Sequence, residues 1–200
     1  MYTFATKLLL FISLLHQGNL QIVKGRLCPA KHVKRDFDVE KYLGRWYQYA
    51  SFGTELFQGR GKCVMAEYSQ EKDKVKVHNT QINLVTHSMD SIDGTAVLEH
   101  PFWREGKLLV TFTFAVLAQK VSITSPYWVL DTDYESWAIV WSCNNIGPLS
   151  VSSGWILTRR QIPTTDSLGL INEALERARI KQNLFTKTNQ ENCSREWENY

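Results

Sequence analysis

No apolar run in this 200-residue chain is long enough to cross a bilayer, which takes about 20 residues. The longest, Leu8-Leu9-Leu10-Phe11-Ile12-Ser13-Leu14-Leu15, follows Lys7 and precedes a polar, Gly-containing stretch. That is the pattern of a secretory leader. Residues 1–25 are assigned to it, with cleavage expected between Gly18 and Gly25, and residues 26–200 then form one domain. A strong charge bias is also missing. The formal net charge is +3, and loss of Lys7 and Lys24 with the leader, with no acid removed, leaves +1. Such a surface has no electrostatic case for nucleic acid. The short basic cluster Lys31, His32, Lys34 and Arg35 reads as a solvated face. Cysteine is scarce: Cys28, Cys63, Cys143 and Cys193, with no CxxC spacing, which argues against a thiolate metal site. An even count in a secreted chain argues for two disulfides, with three pairings open. If all four pair, no thiol remains as a nucleophile. His32, His78, His87 and His100 fall in separate elements without metal-ligand spacing, so no metal, cofactor or zinc hydrolase is expected. No internal repeat or low-complexity segment is present.

What the chain does have is a succession of short strand-like runs. Asp38 can cap one helical turn leading to Gly44. Trp46 to Phe52 is aromatic-rich and reads as the first strand. Residues 62–70 set Val64, Ala66 and Tyr68 against Met65, Glu67 and Ser69. Residues 74–82 alternate cleanly, with Lys74 and Lys76 outward and Val75 and Val77 inward; the same parity turns Asn79 and Gln81 inward. Further strands are expected over 91–99, 107–116, 127–131, 136–143 and 152–159. Eight strands joined mainly by short turns, with no helix between neighbours, cannot be parallel without long crossovers. The expected fold is all-β: an eight-stranded antiparallel up-and-down barrel with room inside for one small ligand. After Pro163 the period changes. Leu168, Ile171, Leu175 and Ala178 recur at helical spacing, predicting one C-terminal helix over 166–180, capped by Thr165 and packed outside the barrel.

Three separated motifs stand out: Gly44-Arg45-Trp46-Tyr47, Asp131-Thr132-Asp133-Tyr134, and Trp155-Ile156-Leu157-Thr158-Arg159. Together they are far more specific than any one alone. On them the chain resembles a lipocalin over roughly residues 28–193, and within that family the apolipoprotein D group. The resemblance implies a calyx closed at one end, with the helix alongside. It also implies the pairings Cys28–Cys143 and Cys63–Cys193. Physically, Trp46 would plug the narrow floor and Arg159 would lay its guanidinium on that ring while donating to backbone carbonyls. Such a desolvated cation–π contact is worth about 2 kcal/mol, and Lys is a poor substitute for the planar fork. Gly44, Trp46, Asp133, Tyr134 and Arg159 are therefore read as structural, and no catalytic residue is expected.

Inward parity and the resemblance place the ligand among Tyr68, Val77, Asn79, Gln81, Phe112, Phe114, Tyr127, Val129, Trp155 and Leu157. A mostly apolar lining with a few polar groups is typical of small-molecule pockets, whereas a solid core would have to satisfy Asn79 and Gln81 internally. No Lys or Arg points inward above the floor, which favours a neutral or weakly polar ligand such as a sterol or retinoid; a fatty acid could leave its carboxylate at the mouth near Arg60 or Lys62. Phe52, Leu56 and Phe57, Ala115 to Ala118, and Ile146 to Val151 form apolar rim loops that could fold over the ligand or touch a membrane or lipoprotein surface. Asn192-Cys193-Ser194 matches the N-glycosylation pattern, but its middle residue is expected in a disulfide. The expected function is extracellular carriage of a small hydrophobic ligand, without catalysis. The alternatives are a bilin carrier, an isomerase working through a free cup thiol, and a scaffold or signalling protein.

Overall fold

The computed structural model describes residues 22–54, 58–116 and 119–193. Eight strands form its body: β2 (Gly44–Phe52), β3 (Gly61–Glu71), β4 (Lys74–Asn83), β5 (Met89–Leu98), β6 (Lys107–Val116), β7 (Gln119–Thr132), β8 (Trp137–Ile146) and β9 (Leu149–Thr158). Each pairs antiparallel with the next, and β9 returns to β2 from Tyr47↔Thr158 to Phe52↔Gly154, closing an eight-stranded barrel. Because every neighbouring pair is antiparallel, odd and even strands run opposite ways and the barrel has two unlike ends. At one end are Gly44, the β7–β8 turn and the incoming residues 37–43; the other carries the β4–β5 and β8–β9 turns.

A short helix α1 (Val39–Tyr42) precedes β2, capped as expected by Asp38, whose side chain accepts from the Lys41 N–H. The C-terminal helix α2 spans Thr165–Arg177. Its cap is Thr164, one residue before the expected Thr165; the Thr164 hydroxyl accepts from the Ser167 N–H at 3.2 Å. The helix buries Ile171, Ala174 and Leu175 against the outward residues of β8: Trp137, Ile139, Trp141 and Cys143. Burying each large aliphatic contributes about 1.5–3 kcal/mol. This explains why seven consecutive residues of β8 are buried: Ala138, Val140 and Ser142 face the barrel, and their neighbours face the helix. Lys31, from the basic cluster, donates to the Ala178 carbonyl at the end of α2 and lies over the Trp141 ring; burial, and then the charges of Lys24 and Arg179, lower its pKa.

Two departures from regular pairing shape the open end. β2 and β3 pair only between Gly44–Tyr47 and Met65–Tyr68. Above that, the C-terminal segment fills the seam. Strand β10 (Thr186–Lys187) pairs with Ser51 and Ala50, the Cys63 N–H donates to Asn189, and the Gln190 amide donates to the Gln48 and Val64 carbonyls. The Cys63–Cys193 disulfide holds this segment in place, and Cys28–Cys143 ties the N-terminal segment to β8. On the far side, β7 is much longer than the expected 127–131. Its upper half, Gln119–Pro126, pairs with β6, while β8 joins β7 only from Trp128 downward. Pro126 therefore sits on an edge, where its missing N–H costs no ladder bond. Strand β1 (Ile22–Lys24), within the expected leader, pairs with Ser150–Ser152 of β9; residues 1–21 of that leader lie outside the described residues.

Candidate ligand-binding site

The closed end is a stack of rings locked by polar bonds. Trp46 is fully buried, and its Nε1 donates to the Tyr42 carbonyl at 2.9 Å. The Arg159 guanidinium lies 3.8 Å from the centre of the Trp46 ring. Its three nitrogens donate to Tyr134 O (3.0 Å), Arg45 O (2.8 Å) and Lys41 O (3.0 Å). Arg159 stands one residue beyond β9, so the guanidinium caps the barrel end instead of pointing into the interior. Gly44 is required here. Its φ is +90°, and an added Cβ would stand 3.3 Å from the guanidinium. Asp133 shapes the β7–β8 turn by accepting from the N–H groups of Glu135, Ser136 and Trp137 and from the Ser136 hydroxyl. Burial alone would raise its carboxyl, but these hydrogen bonds outweigh burial and hold it below the usual Asp range. Tyr134, at φ 68°, accepts from the Asp38 N–H through its hydroxyl.

The plug contains two residues that the motifs did not reveal, Phe37 and Tyr42. Their rings lie 5.2 Å apart, one just before the Asp38 cap and the other four residues after it. This is a hydrophobic staple around the first turn of α1, and its spacing is visible in the sequence.

Above the plug is a cavity of about 480 Å³. Tyr68, Val77, Asn79, Gln81, Phe112, Phe114, Tyr127, Trp155 and Leu157 line it, together with Val75. Val129 does not reach it. That residue is fully buried in the layer below, where its N–H and carbonyl bond to Gly106 and Lys34. Gly94 makes room for the Phe112 ring, since a Cβ there would stand 2.6 Å from it.

The polar groups of the cavity fall into two sets. Deep in the cup, the Tyr127 hydroxyl bonds to both Tyr42 (3.0 Å) and Tyr68 (2.9 Å). Burial pushes the Tyr68 phenol up to about 12 and raises Tyr42 and Tyr127 well above their ordinary value, so all three stay protonated. Three hydroxyls carry three protons, and two mutual bonds use two of them. One donor is left over. Higher up, glutamines dominate. Gln58 Nε2 donates to Gln48 Oε1 and Gln81 Nε2 donates to the Gln58 carbonyl, while Trp155 Nε1 reaches Gln58 Oε1 at 3.4 Å. The carbonyl oxygens of Asn79 and Gln81 are buried without a hydrogen-bond partner among the described residues.

Tyr42, Gln48, Gln58 and Asp90 line the cavity but were not singled out from the sequence. Asp90 sits opposite Gln81 on β5, and the parity of β4 carried across the hairpin would have found it. Arg60 and Lys62, named as cations at the mouth, are not part of the cup lining: Arg60 is exposed, and Lys62 pairs with Ile82, out of phase with inward Gln81. Phe52 is not a rim residue. The irregularity between Gln48 and Ala50 reverses the parity of β2 and turns Phe52 outward onto Trp141 and Phe185. Ile146 and Leu149, 62% and 41% exposed, do stand at the open end, and Ala115 is exposed; Leu56, Phe57, Leu117 and Ala118 lie outside the described residues. All four cysteines are in disulfides. Among the described residues no cluster of His, Cys, Asp or Glu could hold a metal, and no helix is long and apolar enough to cross a membrane.

Residues 37–188 match the model of the Lipocalin-like domain. The Lazarillo protein of Schistocerca americana is 32% identical over 165 residues, covering 82% of this chain and 74% of its own length. Apolipoprotein D of Macaca fascicularis is 34% identical over 168 residues, covering 83% of this chain and 84% of its own. The structure of insecticyanin from the tobacco hornworm Manduca sexta superposes with a TM-score of 0.75 at 23% identity, over 86% of this chain and 90% of that one. The closed antiparallel barrel, the Trp46–Arg159 floor, the flanking helix and these matches agree: the chain belongs to the lipocalin family and is apolipoprotein D-like.

Proposed function

We propose that this chain binds and carries one small hydrophobic molecule in an extracellular fluid, without catalysis. The observation that carries this reading is the 480 Å³ cavity, apolar over most of its wall and equipped with a spare tyrosine donor at its deep end. Two disulfides and the leader-like N-terminus favour an extracellular setting. Sterols, retinoids and similar lipids that bring a hydrogen-bond acceptor to the tyrosines suit the lining best. Fatty acids suit it least, because no Lys or Arg lines the cup among the described residues. The pairing of every cysteine removes the thiol that an isomerase would need.

Native mass spectrometry of the protein purified from its source is expected to show one extra mass of a few hundred daltons that is lost on denaturation. A bare polypeptide mass, together with failure of any hydrophobic probe to bind saturably, would count against carriage. The exposed Ile146 and Leu149 edge supports a secondary contact with a lipid surface. Protein wholly in the soluble fraction after liposome flotation would dismiss that contact.

A further inference from the structure

The upper wall of the cup is rich in acceptors and poor in cations. Asp90 is the one Asp, Glu, Lys, Arg or His in the cavity lining among the described residues. It sits on β5 directly across from Gln81, one inward step along the sheet from the Asn79–Ile92 pair. Its Oδ2 accepts from the Asn83 side-chain amide at 2.8 Å, and the Asp90 side chain makes no other hydrogen bond or ion pair among the described residues. Beside it, Gln81 is only 7% exposed and its Oε1 has no partner; Asn79 Oδ1 has none either. A buried acceptor left unmade costs about 1–3 kcal/mol. Gln81 Oε1 leans toward Gly61 of β3, so the two unpartnered oxygens and the Asp90 carboxylate are spread along one wall of the cup.

We propose that this wall receives the protonated amine of an otherwise apolar ligand, with Asp90 as its counter-charge. An ammonium has three donors and no acceptor, which suits a wall that carries a carboxylate, unpartnered carbonyl oxygens and no competing cation. A neutral hydroxyl satisfies one of them, and a carboxylate satisfies none and meets Asp90 as a like charge. The inference rests on the carriage reading above and names the head group that the cup prefers.

The test uses three ligands that differ only at the head. Dodecylamine, 1-dodecanol and dodecanoate are titrated into the intact protein at neutral pH by calorimetry. The amine is expected to bind on the order of tenfold more tightly than the alcohol, as a charge-assisted bond implies, and the acid more weakly than either. In Asp90→Asn the ratio of amine to alcohol affinity is expected to fall toward one. A ratio within a single preparation does not depend on the fraction folded, and if the variant fails to fold, the order in the unaltered protein decides alone. Dodecanoate binding as tightly as the amine, or an unchanged ratio in Asp90→Asn, overturns the proposal. Alcohol binding with no advantage for the amine overturns it while leaving carriage intact; failure of all three to bind removes both.

Discussion

The floor and the upper cup are built from similar residues and follow opposite rules. At the floor the key polar atoms are engaged: Trp46 Nε1, all three Arg159 nitrogens and the Asp133 carboxylate have partners within 3.2 Å. In the upper cup, buried carbonyl oxygens on Asn79 and Gln81 have none. Evolution tolerates an orphaned acceptor where something else completes it, and sites with unmet hydrogen bonds are where function departs from stability. The floor is therefore a structural lock and the cup a receptor, although the same strands supply both.

The sharpest way to break this contrast is at the plug. Trp46→Ala is expected to cost about 3–5 kcal/mol in chemical denaturation, as large aromatic truncations in cores do. A loss below 1 kcal/mol would mean that the floor is not what holds the barrel shut. Arg159→Lys keeps the charge but loses the planar stacking and most of the fork. About 2 kcal/mol of stability should go with it, read as a lowered denaturation midpoint. Tyr127→Phe probes the boundary between the regions. It removes the hub of the tyrosine cluster at a cost of about 1 kcal/mol, and it should weaken ligands that carry an acceptor at their deep end more than purely apolar ones.

Asn79→Leu tests the other side of the contrast. Replacing an orphaned acceptor with an apolar side chain of similar volume is expected to leave stability within about 0.5 kcal/mol or raise it, while lowering affinity for donor-bearing ligands. A large destabilisation would show that Asn79 belongs to the structural set. The smallest effect is the pH response of the Asp133 turn. Hydrogen bonds in the folded state depress its carboxyl, so its contribution is present above the unfolded-state value of about 4 and is lost as pH falls below it. Acid titration of the melting temperature should fall less steeply below about pH 4 in Asp133→Asn than in the unaltered protein.

Much of the lock was legible in the sequence because it is carried by short motifs with fixed geometry. Gly44, Trp46 and Arg159, which the resemblance set at the floor, stand together there, and period-2 alternation gave β4 and β6 nearly residue by residue. The receptor was less legible, for three physical reasons. The irregularity between Gln48 and Ala50 reverses strand parity, which alternation cannot foresee, and so Phe52, expected in a rim loop, packs outward from β2 instead. The strand expected over 127–131 runs upstream through Pro126 in the 14-residue β7, because the upper half of that strand has a free edge. Val129 has inward parity, but parity does not tell height, and at its level the barrel is filled. Asp90 was missed because a lone carboxylate at the start of a strand looks like solvent-facing polarity until the hairpin register is known.

The most direct measurement of the central claim is a retinol fluorescence titration of the intact protein beside a variant with its cup filled, Ala96→Phe. Ala96 is buried and lines the cavity from β5, so a phenyl ring there takes up ligand space; the filled variant is first shown to melt cooperatively, because overpacking costs about 1–3 kcal/mol. The expected result is saturable one-to-one binding to the unaltered protein and its loss in the folded variant. Equal binding by both, or saturable binding by neither, would contradict the reading of the cavity as the receptor.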